Sequence, residues 1–262
     1  MRILLRGVSA VLALAVVASP STAETSAAQT PAPPPARGQA GKLPSIGDKT
    51  SDMKKIDGFF PLYWDERAGT LWMEIPALDT EVLYVSSLSS GLGSNDIGLD
   101  RGQLGGEHVV TFERIGPKIL MIVPNLQYRA TSDNLDERQS VKEAFGRSTL
   151  WGFTAAAESD GRVLVDLTDF LMRDAHGVAA RLRPAVYRLE RSRSAVNLAR
   201  TKAFPKNSEM DVMLTFTPDG PPGRGGGPGA PGGRISDVTP STEAITVAQH
   251  HSFVELPGPG YE

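Results

Sequence analysis

The chain of 262 residues contains no cysteine. Without thiols it forms no disulfides, so its core and its strand pairing must hold the fold together. It also has no thiolate that could act as a nucleophile or bind zinc. Any chemistry must therefore come from other residue types.

The sequence motifs of common catalytic sites are missing as well. Zinc peptidases carry HExxH, in which two histidines four residues apart on a helix bind one metal. The four histidines do not form this motif, and no GxSxG nucleophile motif is present. Adjacent histidines in strand-like sequence point to opposite faces, so they do not easily share a metal. The histidines in question are His108, His176, His250 and His251.

The carboxylates do not indicate a catalytic pair either. Three of them follow one predicted hairpin, namely Asp166, Asp169 and Asp174, and capping of a nearby helix explains at least one of them. The sequence therefore predicts no catalytic residue and no metal ligand in this chain.

A basic excess is also absent, since the formal net charge is −3 and the pI is about 5.9. Nucleic-acid-binding domains show a clustered positive charge. We therefore expect no nucleic-acid partner.

The first residues have the pattern of a secretory signal peptide. Arg2 and Arg6 form a short basic region, an apolar run covers 8–18, and Ser21 and Ala23 are small residues before a cleavage point. The apolar run is short for a membrane span. We predict cleavage after residue 23, export to the periplasm or the extracellular space, and no stable membrane span afterwards.

Two further segments have low-complexity composition. Residues 24–50 are rich in alanine and proline and predict a disordered linker. Residues 219–234, DGPPGRGGGPGAPGGR, predict a mobile loop. The folded module is therefore expected to span 51–262, interrupted by this loop.

The rest of the chain alternates apolar runs with turn residues. Gly116-Pro117 and Asp160-Gly161 each separate two such runs, which indicates β-hairpins. Short helices are predicted at 134–145, with an amphipathic pattern, and at 169–180, interrupted at Gly177. The expected fold class is mainly β with minor α, an antiparallel hairpin-rich sheet or sandwich. Strands are predicted at 58–64, 70–76, 80–88, 106–115, 117–125, 149–159, 161–170, 210–218 and 242–257.

Residues 91–106, GLGSNDIGLDRGQLGG, form a segment that we call the glycine loop. It matches no phosphate-binding motif, because Asp96 stands in place of the third glycine of GxGxxG and no GK[ST] follows. Its acidic residues do not have the spacing of an EF-hand. An ordered connection and an interaction surface both remain open. If it is an interaction surface, the candidate contacts are Asn95, Asp96, Asp100 and Arg101.

Several long stretches together resemble one protein family. They are DGFFPLYWDERAGTLWMEIP (57–76), the glycine loop, LWGF (150–153), LVDLTDFLMRDAHGV (164–178), SRSAVNLARTKAFPKN (192–207) and QHHSFVELPGPGY (249–261). They are similar to the amino-terminal region of large exported bacterial zinc-dependent metalloproteases of the met-zincin type. In that family an uncharacterised β-rich module precedes the peptidase domain.

The resemblance implies a role without chemistry of its own. The family's HExxH helix lies beyond the point where this chain stops, so no zinc ligand is carried over to any position here. Zinc is expected only in the missing peptidase domain, and this chain needs no cofactor. The chain would then be a fragment, a truncated reading frame or a separated accessory domain.

We therefore expect a non-catalytic accessory module, inactive alone, that supports folding, substrate access or latency of the peptidase domain. Its expected partners are that domain of the same parent protein and a peptide substrate. The alternative is a stand-alone cell-envelope module that binds a peptide or a glycan. In that case an exposed strand edge could pair with an added peptide strand.

Overall fold

The computed structural model describes residues 42–183, 185–219 and 235–258. The predicted signal peptide, most of the predicted linker and nearly all of the predicted mobile loop at 219–234 lie outside these residues.

Antiparallel strands dominate the described residues, as the sequence predicts, and they form one continuous sheet of thirteen strands. The order along the sheet is β1-β2-β3-β8-β7-β6-β5-β4-β13-β12-β10, and β9 and β11 also pair with β12. The strands are β1 (Lys54–Ile56), β2 (Leu62–Asp65), β3 (Thr70–Ile75), β4 (Val82–Ser90), β5 (Leu104–Ile115), β6 (Lys118–Val123), β7 (Ser148–Ser159), β8 (Arg162–Asp166), β9 (Tyr187–Leu189), β10 (Ala195–Val196), β11 (Lys202–Phe204), β12 (Asn207–Pro218) and β13 (Ile245–Glu255).

Both predicted hairpins are confirmed. Ile115 pairs with Lys118 around Gly116-Pro117, and Ser159 pairs with Arg162 around Asp160-Gly161. In the second turn both central residues have positive φ, 50° and 79°, which suits the right-handed twist of the flanking strands.

The helices are short: α1 (Ile46–Thr50), α2 (Leu135–Ala144), α3 (Thr168–Leu171), α4 (Val178–Arg181) and α5 (Ile235–Val238). The helix predicted at 169–180 is divided into α3 and α4, and Gly177 lies between them with a φ of 71°. The helix predicted at 134–145 is present as α2 and is capped by the side chain of Asn134. An amphipathic helix usually packs its apolar face against a core, but α2 buries none of its residues.

The sheet curls until distant strands share one core. The rings of Phe60, Phe112 and Phe253, from the β1–β2 connection, β5 and β13, have centroids 5.3 to 5.9 Å apart. The β1–β2 connection also touches β11 from the other side of the sheet, because the N–H of Phe59 donates to the C=O of Phe204 at 2.8 Å. Burial inside one curled sheet therefore replaces the second layer of a sandwich.

Two segment boundaries differ from the sequence prediction. The strand predicted at 58–64 starts only at Leu62, because the preceding residues bond to β11 and β12 instead. A Cβ at Gly58 would lie 2.4 Å from the Cβ of Ala203, so this approach requires glycine. The module also begins before residue 51, since Ile46 of α1 is buried and the N–H of Glu158 donates to Pro44.

The connections are distributed unequally between the two ends of the sheet. One end, the hairpin end, carries the short turns at 116–117, 160–161 and 205–206. The opposite end, the loop end, carries the long connections 91–103, 124–147 and 167–186, and the β12–β13 connection. Long connections on a rigid sheet are where proteins usually place binding surfaces.

Candidate functional site at the loop end

The glycine loop is an ordered structure closed by its own hydrogen bonds. The N–H of Leu92 donates to the C=O of Leu99 at 2.8 Å, and both leucine side chains are buried. A Cβ at Gly91 would lie 2.0 Å from that same carbonyl oxygen, so the crossing of the two segments needs glycine at this position. The last three residues of the loop, 104–106, already belong to β5.

The four candidate contact residues of the glycine loop do not form one cluster on its surface. Asn95 closes the loop, since its side chain donates to the C=O of Leu92 and accepts from the N–H of Ile97. Asp100 is half-buried, and its Oδ1 has no hydrogen-bond partner among the described residues. Only Asp96 and Arg101 are exposed, so only these two side chains are presented to a partner.

Helix α4 anchors the glycine loop from outside. Arg181 donates through Nη1 to the C=O of Gly98 at 2.6 Å and to Oε1 of Gln103 at 2.8 Å. A guanidinium that bonds two points of one loop restricts the motion of that loop. The loop is therefore held in one conformation before any partner arrives.

His176 supports the same loop from inside. Its Nε2 lies 3.2 Å from Oε1 of Gln103, so Nε2 carries the proton and donates. Burial and the nearby charge of Arg181 lower the pKa of His176, which favours this neutral form. A Cβ at Gly105 would lie 2.8 Å from Nδ1 of His176 and from Oγ of Ser86, so glycine leaves the room that this ring occupies.

A buried polar network lies beneath the loop end. The side chain of Gln249 accepts from the N–H of His176 and donates to the C=O of Arg173, each at 3.0 Å. These backbone partners fix the amide orientation of Gln249, so its Nε2 also donates to Nε2 of His251 at 2.8 Å. His251 then carries its proton on Nδ1, which lies 2.8 Å from the hydroxyl of Tyr84.

Burial determines the charges in this network. Burial, reinforced by Arg173 and His250, lowers the pKa of His251 to about 3, so the ring is neutral at physiological pH. Burial also raises the pKa of Tyr84 to about 12. Arg173 is the one cation of this network; it donates to the Tyr84 hydroxyl at 3.0 Å and lies 4.3 Å from the ring centroid of Phe170.

His250 lies on the opposite face of β13, as the strand alternation predicts. Its Nε2 is 2.6 Å from Glu209, and its Nδ1 is 3.4 Å from Asp211. The neighbouring carboxylates of Asp211 and Glu209 raise the pKa of His250 to about 9, so it is charged at neutral pH. Ser89 donates to Asp211 and Ser252 donates to Glu209, so the hydroxyls bond to carboxylates and not to the imidazole. This arrangement links three strands and does not activate a nucleophile.

Residues 124–147, which we call the excursion, project from the sheet between β6 and β7. The excursion is bonded to itself: Asn125 donates to the C=O of Gly146 at 3.3 Å, and the rings of Tyr128 and Phe145 stack at 3.9 Å. Its large apolar side chains are exposed, namely Leu126, Tyr128, Leu135 and Phe145. An ordered segment with exposed apolar side chains is typical of a contact surface.

The sequence analysis missed the polar network. One signal was available in the sequence. Every second residue of a strand lies on the same face, so Gln249 and His251 share a face with the apolar residues Val247 and Phe253. The contact of Arg181 with the glycine loop joins segments 78 and 83 residues apart and had no local signal.

The described ranges contain no group of three or more histidine, aspartate or glutamate side chains that could hold a metal ion. No helix within these ranges is long and apolar enough to cross a membrane.

By its fold the chain is a β-rich module whose long connections gather at one end of a curled antiparallel sheet. It belongs to the DUF5117 family: the model of this domain of unknown function matches residues 102–262, which is more than half of the chain. No curated protein and no solved structure matches the chain.

Proposed function

We propose that this chain is the non-catalytic accessory module of an exported zinc-dependent metalloprotease and that it docks on the peptidase domain through its loop end. The observation that carries the proposal is the distribution of exposed apolar side chains. Ten large hydrophobic residues are exposed among the described residues, and seven of these lie at the loop end. The seven are Leu104, Leu126, Tyr128, Leu135, Phe145, Val186 and Val238.

The physical argument is the cost of leaving such side chains in water. Tyr128 and Phe145 are 47% and 38% exposed although they stack on each other, and Leu135 is 75% exposed. Burying apolar area against a partner removes it from water, which favours association. Aromatic side chains held in place before binding are the usual centres of interfaces, since little conformational entropy is lost on contact.

The ordered glycine loop supports the same proposal. Arg181 and His176 hold it in one conformation, which leaves Asp96 and Arg101 exposed on a rigid base. These two charges would lie at the rim of the interface, where they set orientation more than affinity. Zinc would belong to the docked domain, and the module would act on the folding, substrate access or latency of that domain.

The first experiment is to read the gene beyond the codon for Glu262 and to measure the intact mass of the native protein. The proposal expects an open frame that encodes an HExxH helix. In the full-length protein, the pair Tyr128→Ser and Phe145→Ser should then weaken the contact between the two domains by about tenfold or more. Limited proteolysis between the domains measures this loss.

The control is the pair Ile115→Ser and Phe204→Ser, which removes side chains of similar exposure at the hairpin end. It should leave cleavage between the domains unchanged. A stop codon directly after Glu262 with a matching native mass would refute the proposal and favour a stand-alone binding module. Equal effects of the two pairs would refute the assignment to the loop end.

A further inference from the structure

Strand β5 is paired along only half of its length on one side. On the β4 side, pairing runs from Leu104 to Val110. On the β6 side, pairing covers only Thr111 to Ile115, so the first half of β5 has no described strand beside it. This half-strand is an open edge within the sheet.

The register shows which backbone groups face the opening. Ile115 and Lys118 close a two-residue hairpin and form a hydrogen-bonded pair, so odd-numbered residues of this part of β5 direct their N–H and C=O toward β6. The C=O of Phe112 bonds to Asp79 on the opposite side, which confirms the alternation. Glu107 and Val109 therefore direct two N–H and two C=O groups into the opening.

The opening has a defined start and end. At one end, Gly105 and Gly106 together lie opposite Ser86 in a β-bulge, where the register shifts and the N–H of Gly106 bonds to the Ser86 side chain. At the other end, β6 stops at Val123 because Pro124 has no N–H. The side chain of Asn125 then accepts from the N–H of Gln127 and turns the chain away from the sheet.

The side chains beside the opening define the chemistry of an added strand. Glu107 is exposed and pairs across β4 with Val85, and Val109 pairs with Leu83, so both project from the outer face. No described cation forms an ion pair with Glu107. Opposite charges directly across a strand pair stabilise the pairing, and a β-branched side chain packs well beside valine.

We propose that this edge binds an extended peptide segment of a partner protein by strand addition, with a lysine or arginine opposite Glu107 and a β-branched residue opposite Val109. The edge lacks the lysine and proline residues that usually protect exposed edges from pairing. Main-chain hydrogen bonds to Glu107 and Val109 supply binding to any extended segment, and Glu107 supplies the preference for a basic one. The open edge adjoins the loop end, since Leu104 begins β5, but the proposal rests on main-chain pairing and does not depend on the docking contact above.

The probe is a labelled synthetic octapeptide of alternating threonine and valine with one central lysine, compared with the same peptide carrying glutamate. In fluorescence anisotropy the lysine peptide should bind the full chain saturably below about 1 mM and at least about fivefold more tightly than the glutamate peptide. Glu107→Lys should reverse this order. Glu81→Lys is the control, since Glu81 is exposed directly before β4 at the hairpin end.

A second variant tests the main-chain contacts. Val109→Pro removes an N–H that points away from β4, so the β4–β5 ladder keeps its hydrogen bonds and the thermal unfolding midpoint checks the fold. Binding of both peptides should be lost. In the wild type, bound lysine peptide should slow amide hydrogen exchange at Glu107 and Val109.

Four results would overturn the proposal. The first is no saturable binding of the lysine peptide, and the second is binding that survives Val109→Pro in a folded variant. The third is protection that appears at Lys54–Ile56, the outer strand β1, instead of at β5. Concentration-dependent dimers that Val109→Pro abolishes would assign the edge to a second copy of this chain and would equally overturn it.

Discussion

Two neighbouring histidines on β13 should give the stability of this protein opposite dependences on pH. His251 is fully buried and neutral, and its pKa of about 3 lies well below the 6.5 expected in the unfolded chain. As the pH falls below about 6.5, the unfolded chain takes up a proton that the folded chain does not bind. The free energy of unfolding must therefore fall with falling pH, until the pH reaches the folded pKa.

The size of this effect follows from the linkage relation. Each pH unit between the two pKa values changes the free energy of unfolding by about 1.4 kcal/mol for one site. Between pH values of about 6.5 and 4.5 the loss from His251 is therefore about 2 kcal/mol, because the unfolded site is already half protonated at the upper limit. Burial of His176 lowers its pKa too, so it adds a contribution of the same sign. Burial opposes ionisation of Glu209 and Asp211, but His250 and hydrogen bonds from serine and asparagine side chains outweigh it and hold both pKa values below their usual range.

His250 has the opposite sign. Its folded pKa of about 9 lies above the unfolded value, so its contribution is complete below a pH of about 6.5 and is lost as the pH rises toward 9. Protonated His250 and neutral His251 are thus adjacent in sequence and separated by the sheet.

Urea unfolding followed by tryptophan fluorescence at several pH values measures both effects. His251→Gln cannot be protonated, and its amide can still accept from Gln249 and donate toward Tyr84. This variant should lose about 1.4 kcal/mol per pH unit of the acid dependence. His250→Gln is the control for the alkaline limb, which it should lose; its acid limb also changes, because Glu209 and Asp211 no longer face the charge of His250. Acid dependence as steep in His251→Gln as in the wild type would refute the reasoning.

Two further predictions concern the glycine loop. Gly91→Ala should destabilise the fold by about 2 kcal/mol in urea unfolding, because its Cβ would meet the carbonyl oxygen of Leu99; Gly146→Ala, which meets nothing within 4 Å, should change stability by less than about 0.5 kcal/mol. Arg181→Met should raise amide exchange of residues 91–103 about fivefold with little change in global stability, since an exposed charged hydrogen bond contributes about 1 kcal/mol. Arg183→Met is the control, because among the described residues the Arg183 side chain bonds to the C=O of Ala180 and not to the glycine loop. Equal exchange in the two arginine variants would show that Arg181 does not anchor the loop.

The sequence by itself determined the fold class and most strands, because their signals are local. Alternating apolar runs predicted the strands, and Asp160-Gly161 predicted a hairpin whose two positive φ angles the structure confirms. The spacing of apolar residues likewise predicted the helix at 134–145, which the structure contains as α2. The opposite orientations of His250 and His251 also followed from the strand period alone.

The tertiary structure decided what depends on residues far apart in the chain. Whether an amphipathic helix packs on a sheet depends on what lies opposite it, and α2 remains exposed for that reason. The curl of the sheet brings Phe60 next to Phe253, and Arg181 bonds to Gly98. In both cases the two residues are far apart in the sequence. The length of β6 relative to β5 decides where an edge is open, and no local pattern encodes such a difference, because pairing is a property of two strands together.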